Sequence, residues 1–148
     1  MQITVTGVDT AAREIGEIPT NLAVEVIRKM AAIAYDAAEA GAGAHSRAGG
    51  SGALLQSLYN RQVEGGPSRA VGHDPQRAPH ALWVNFGTRA HEIRPRNKRV
   101  LRWPGAGGFV FAAWAKHPGY RGDPYIIRAA DAAVAKFHDV VTLALKEA

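Results

Sequence analysis

The histidines are the first residues that invite a chemical reading. His91-Glu92-Ile93-Arg94-Pro95 opens like the zinc-protease helix, in which two His at i and i+4 hold the metal and the Glu between them acts as general base. The fourth step here is Pro95, which breaks the helix that would align the ligands. The six histidines are His45, His73, His80, His91, His117 and His138, and none stands four residues from another. No metal centre is expected from that spacing. Gly49-Gly50-Ser51-Gly52-Ala53 begins like a nucleophile elbow but lacks the closing Gly, and it follows a helical pattern where the elbow needs a strand. There is no Gly-x-x-x-x-Gly-Lys-Ser/Thr phosphate loop, and the Gly105-Ala106-Gly107-Gly108 run leads into a strand, not a helix N-terminus. Between Asp74 and the last helix the only carboxylates are Glu92 and Asp123, too few for a paired-carboxylate hydrolase or a metal-dependent nuclease. The expectation is therefore a protein with no catalytic site, no cofactor and no metal. A hydrolase built on His91 or His117 is the least supported class.

The centre of the chain is basic and aromatic instead. Arg89, Arg94, Arg96, Lys98, Arg99 and Arg102 crowd one stretch with only Glu92 opposing them. Trp83, Phe86, Trp103, Phe109, Phe111, Trp114, Tyr120 and Tyr125 surround it. One reading makes the aromatics core and the cations a solvated face. The other makes the stretch a surface for an anionic partner, either DNA phosphates or acidic patches on neighbouring subunits. The net charge of +5 permits both. No recognition helix or RNA-binding signature accompanies the cluster, so sequence-specific readout is not expected.

The elements that would position these residues follow from periodicity. Residues 1–8 alternate and read as a strand, with a weak helical stretch near Thr10 and Glu14. Leu22, Val26, Met30, Ile33 and Ala37 put a helix over 19–40, with Gly41 as its stop. Residues 41–52 are Gly/Ala/Ser-rich and read as a flexible loop. A short helical turn over 51–58 precedes a hairpin of 59–63 and 69–71 around Gly65-Gly66-Pro67. Residues 79–86 form a short helix or strand ending at Gly87, and 99–103 and 109–114 form a second hairpin. Asp123 as N-cap and Pro124 as first helical residue open a last helix to about residue 146. Its stripe is Ile127, Ala130, Val134, Phe137, Val141 and Ala144. This order predicts one α+β domain over 1–148, an antiparallel sheet of short strands with two main helices packed on one face. With no Cys the fold owes nothing to disulfides. Neither a signal peptide nor a membrane-spanning run is expected.

Trp83-Val84-Asn85-Phe86-Gly87-Thr88-Arg89-Ala90-His91 resembles the "hydrophobic, acidic, aromatic, Gly-Thr" segment of the siphophage head–tail joining family, whose members are also described as tail-completion or minor tail proteins. Ile93-Arg94-Pro95 with Leu101-Arg102-Trp103 resembles that family's "Ile-x-Pro … Leu-x-aromatic" segment. His117-Pro118-Gly119 and Asp123-Pro124-Tyr125 resemble its "His-Pro-Gly … Pro-aromatic" signature, and Ser51-Gly52-Ala53-Leu54-Leu55-Gln56-Ser57-Leu58 its "Thr-Gly-x-Leu-x-x-Ser-Ile" segment. The likeness runs over about residues 20–145, with Asn85 where the family often has Glu.

The resemblance implies a structural subunit of a tailed phage or prophage particle, a neck protein, tail terminator or minor tail protein. Its partners would be copies of itself in a sixfold ring and neighbouring neck or tail proteins, with non-specific contact to passing DNA and none to a membrane. It would reside in the virion, and in the host cytoplasm during assembly. On this reading Phe86, Gly87, Thr88, Pro95, His117, Pro118, Gly119 and Pro124 set the fold. Arg89, Arg94, Arg96, Lys98, Arg99 and Arg102 face a partner or DNA. The alternative is a nucleic-acid-binding module outside any virion that uses the same 89–102 stretch.

Overall fold

The computed structural model describes residues 2–4, 20–45 and 51–147. The chain runs β1 (Gln2–Thr4), α1 (Thr20–Ala44), α2 (Ala53–Gln56), β2 (Leu58–Gln62), β3 (Arg69–His73), α3 (Ala81–Phe86), β4 (His91–Ile93), β5 (Leu101–Gly105), β6 (Gly108–Ala112), β7 (Ala115–His117), α4 (Tyr125–Ala135) and α5 (Phe137–Glu147). It is an α+β fold in which every strand pairing among the described residues is antiparallel. The strands divide among three small sheets, ordered β1-β3-β2, β4-β7 and β5-β6. The rest of the expected first strand, residues 5–8, and the helical stretch near Thr10 and Glu14 lie outside the described residues.

The body is α1 laid against the β2–β3 hairpin on one side and against α4 and α5 on another. Its core is made from small and aliphatic side chains: Leu22, Val26, Met30, Ala31, Ala34, Ala38 and Ala42 of α1 meet Ile126, Ala129, Ala133, Val140 and Ala144. Alanines on both helices let their backbones come close. Gly41 takes this furthest. A Cβ there would stand 2.6 Å from Tyr125 Cβ and 2.8 Å from its ring.

Gly41 is therefore a packing glycine and not a helix stop, and α1 continues through it to Ala44. That corrects the first residues of the expected 41–52 loop. Residues 46–50 lie outside the described residues.

The last helix also differs from its periodicity. It breaks at Lys136 into α4 and α5, and the buried residues are Tyr125, Ile126, Ala129 and Ala133, then Val140 and Ala144. Ile127, Val134 and Phe137 of the expected stripe are exposed. The helix is apolar on both of these faces, so periodicity alone does not choose between them. Two hydrogen bonds do. Asn85 Oδ1 accepts from the Ile126 amide at 3.2 Å, and the Tyr125 hydroxyl bonds His73 Nε2 at 2.6 Å, which turns 125, 126, 129 and 133 inward. Asp123 is not the N-cap: Pro124 takes that place, and the Asp123 carboxylate binds Arg128 and, at 2.9 Å, His45 Nε2. The Arg128 hydrogen bond, with His45 adding to it, holds the Asp123 carboxyl below its ordinary range.

Candidate functional site: a basic, aromatic hairpin arm

The chain leaves the body after α3 and returns to it before α4. At the point of departure Thr88 and Tyr120 form a reciprocal antiparallel bridge, amide to carbonyl at 2.8 and 3.0 Å. Gly87 and Gly119 make this closure possible. Both have positive φ, +77° and +92°. A Cβ on Gly87 would overlap the Tyr120 carbonyl oxygen, and one on Gly119 would sit 2.6 Å from the Thr88 oxygen. The Gly119 amide also donates to His117 Nδ1 at 3.1 Å.

Beyond the bridge the two halves run outward as a nested hairpin. β4 and β7 pair at its root, His91 opposite His117 and Ile93 opposite Ala115. β5 and β6 pair at its tip, Leu101 opposite Ala112 through Gly105 opposite Gly108. No residue from 88 to 120 is buried. Neither of its ladders has a substantial contact with the helices. We refer to 88–120 as the arm.

Strand alternation gives the tip two different faces. Leu101, Trp103, Val110 and Ala112 share one; Arg102, Pro104, Phe109 and Phe111 share the other. On the second face the Arg102 guanidinium lies over the Phe109 ring, 3.9 Å from its centroid. All the expected partner-facing cations, Arg89, Arg94, Arg96, Lys98, Arg99 and Arg102, are exposed. Arg94 is paired with Glu92 at 2.8 Å, and Arg96, Lys98 and Arg99 occupy the connection that climbs from β4 to β5.

The other expected fold-setting residues divide. Gly87, Thr88, His117 and Gly119 meet at the root of the arm. Pro95 and Pro118 lie on the arm's two rising segments, and Pro124 caps α4. Phe86 is the exception: its ring is mostly exposed and contributes nothing to the core, because the last turn of α3 directs it outward. Asn85 beside it is buried and uses both ends of its amide, donating to the Ala81 carbonyl at 3.1 Å and accepting from Ile126. A carboxylate at that position could accept from α4 but could not donate to Ala81.

No metal-binding group of three or more His, Asp or Glu exists among the described residues. The stacked pair His91 and His117, 5.0 Å between centroids, is not poised to chelate either. His117 Nδ1 accepts from Gly119, so in the neutral ring the proton sits on the outward Nε2. Among the described residues the one Ser–His contact is Ser57 Oγ to His73 Nδ1 at 2.8 Å. Ser57 is 2 % exposed and gives its proton to the Leu54 carbonyl at 2.7 Å, so its hydroxyl is neither free nor reachable.

The chain matches no protein-family model, no curated protein and no solved structure.

Sequence reasoning singled out the arm's cations and aromatics but missed the β4–β7 ladder. Three-residue strands with no buried face carry no alternation to detect. It also missed the Ser57–His73–Tyr125 chain, whose members are scattered over sequence and carry no motif.

Proposed function

We propose that the protein is a structural subunit of a tailed phage or prophage particle, acting in a ring at the neck or proximal tail end that joins or completes head and tail. One observation carries the assembly part of this reading. Every Trp and every Phe of the chain, three and four residues respectively, is exposed, at between 38 % and 61 %. These are side chains that a self-sufficient domain puts inside, and their exposure in this number points to a surface that a partner covers. Trp103, Phe109, Phe111 and Trp114 are on the arm, and Trp83 and Phe86 are on α3, which leads into it. A two-stranded hairpin with apolar side chains on both faces and no described helix or strand packed on either is marginal in water. It gains its stability by docking. The station in the particle is supported by the motifs at the arm's root and at the start of α4, which resemble those of the head–tail joining family.

On this reading the role is structural; the Ser–His contact found among the described residues is internal and the His pair on the arm bonds backbone, which agrees with it. Light scattering over a range of concentration and salt tests it. The expected result is a ring-sized species, sixfold in mass, that grows in with concentration; a monomer at every concentration overturns the reading.

A second reading has its own observation. Cations interleaved with exposed aromatics are how proteins hold single-stranded nucleic acid. Against it, Arg102 already covers the Phe109 ring face on which a base would stack. A nucleic-acid module would bind oligonucleotides with an affinity that falls steeply with salt, and would do so as a monomer.

A further inference from the structure

We infer that β6 is an open strand edge that takes β6 of a second copy, so that two arms join antiparallel in one continuous sheet. The contact goes beyond the ring proposed above and does not depend on it. Neither strand of the tip hairpin has a further strand beside it among the described residues. Such edges carry unpaired N–H and C=O groups, and chains that must stay apart blunt them with proline or charge. The two edges of this hairpin differ. β5 carries Arg102 and Pro104, and the cationic connection 94–100 leads into it from β4. β6 has no such protection. From Trp103 to Ala115 the chain holds no Asp, Glu, Lys, Arg or His, and only Ala113 and Trp114 lie between β6 and β7.

The turn determines which backbone groups face outward. Ala106-Gly107 closes on Gly105 opposite Gly108, the hydrogen-bonded pair of a two-residue hairpin. Bonded and unbonded pairs alternate from there. Trp103–Val110 and Leu101–Ala112 therefore exchange bonds, whereas Pro104–Phe109 and Arg102–Phe111 do not. Pro104, which has no N–H, stands where none is needed. Phe109 and Phe111 direct their N–H and C=O groups away from β5, along the free edge.

That edge is complementary to itself. A two-fold axis beside Val110 sets Phe109 opposite Phe111 of the second copy, and Phe111 opposite its Phe109. Each of these pairs exchanges both backbone bonds, and Val110 meets its own counterpart at the closer, unbonded position. Phe109 and Phe111 share one exposed face, so the rings of both chains gather into one cross-strand cluster. The antiparallel arrangement keeps each cationic connection on the far side of its own hairpin. It also ends itself: once β6 is paired, the outermost strands are the two copies of β5, blunted by Pro104 and Arg102. This contact is isologous and so is separate from the heterologous contact that closes a ring. Both cover the tip, which makes the pair the form in which the arm is held before a ring takes it.

Cysteine cross-linking of the full chain tests it, since the chain has no Cys of its own. Val110→Cys places two thiols at opposed, unbonded positions with Cα atoms about 4.5 Å apart, within disulfide reach. Mild oxidation below ring-forming concentration should double the mass of this variant on a non-reducing gel. Trp103→Cys, on the same face but one strand further from the joint, should stay monomeric. Phe111→Pro added to Val110→Cys removes an edge N–H and a ring but none of the hairpin's own bonds. It should abolish the cross-link with the circular dichroism spectrum unchanged. If Val110→Cys stays monomeric, if Trp103→Cys cross-links as fast, or if Phe111→Pro leaves the cross-link intact, the strand pairing is overturned. Cross-linking at 110 in a chain that never reaches ring size keeps this contact and sinks the ring; rings without the cross-link do the reverse.

Discussion

The Tyr125 hydroxyl donates to His73 Nε2 at 2.6 Å, and this bond ties the first residue of α4 to the last residue of β3. The proton directions along it are determined by its far end. Ser57 has one proton and gives it to the Leu54 carbonyl, so Ser57 Oγ accepts from His73 Nδ1, which leaves Nε2 as the acceptor for Tyr125. Three buried side chains thus satisfy one another in series. Tyr125→Phe would leave His73 Nε2 buried without a partner, at a cost of about 1–3 kcal/mol. Urea unfolding should show the midpoint moving down with an unchanged slope.

The same chain makes stability fall at both ends of the pH scale. Burial pushes the His73 pKa down, so the unfolded chain binds a proton that the folded chain refuses. Stability is whole above the ordinary His value of about 6.5 and declines as pH drops below it. At the alkaline end burial pushes Tyr125 up to about 12 from 10.0, so the unfolded chain loses its phenolic proton first. That contribution is present below pH 10 and disappears as pH rises toward 12, a loss of about 2–3 kcal/mol in all. Denaturation midpoints measured from pH 5 to 11 should trace both limbs. Tyr125→Phe should remove the alkaline one, and His73→Gln should flatten the acid one.

Gly41 and Gly87 should respond differently to the same substitution. Gly41→Ala sets a methyl group against the Tyr125 ring inside α1, where the backbone itself is content with any residue. The cost is overpacking, about 1–3 kcal/mol, and it separates α1 from α4. Gly87→Ala meets backbone at a positive φ, so it carries strain as well as overlap. It should lose more, and it should loosen the Thr88–Tyr120 bridge. Hydrogen exchange of the Thr88 and Tyr120 amides reports that loosening directly: faster in Gly87→Ala and unchanged in Gly41→Ala.

How much of this was legible in the sequence depends on what each residue had to satisfy. The α+β class, the two hairpins and α1 followed from local pattern, because turn glycines and apolar spacing act over a few residues. The phase of α4 did not, since Ile126 and Ile127 are equally apolar and the groups that hold 125 and 126 inward, Asn85, His73 and α1, are far off in the chain. Gly41 read as a helix stop for the same reason: the Tyr125 ring that requires a glycine there belongs to another helix. The arm was half legible. Its cations and aromatics stood out by composition, but composition cannot tell an aromatic core from an aromatic surface, and here Trp103, Phe109 and Phe111 are surface.

The arm's aromatics should therefore behave unlike core residues when removed. Truncating a buried Phe or Trp costs about 3–5 kcal/mol of folding stability. Phe109→Ser with Phe111→Ser should leave the unfolding midpoint of the unassembled chain within about 0.5 kcal/mol of the wild type, as for other exposed positions. Assembly is where the loss should appear. The pair lies on the tip face with Arg102, and without the rings that face keeps its charge but loses the apolar area that docking would cover. The ring-sized species should vanish from light scattering at concentrations where the wild type forms it. Limited proteolysis gives a second readout. In the wild type the connection 94–100 should be cut in the monomer and protected in the assembly, whereas in the double variant it should be cut at every concentration. A large drop in the variant's unfolding midpoint would instead show that the two rings hold the monomer together, and the case for an arm built to be covered by a partner would fail with it.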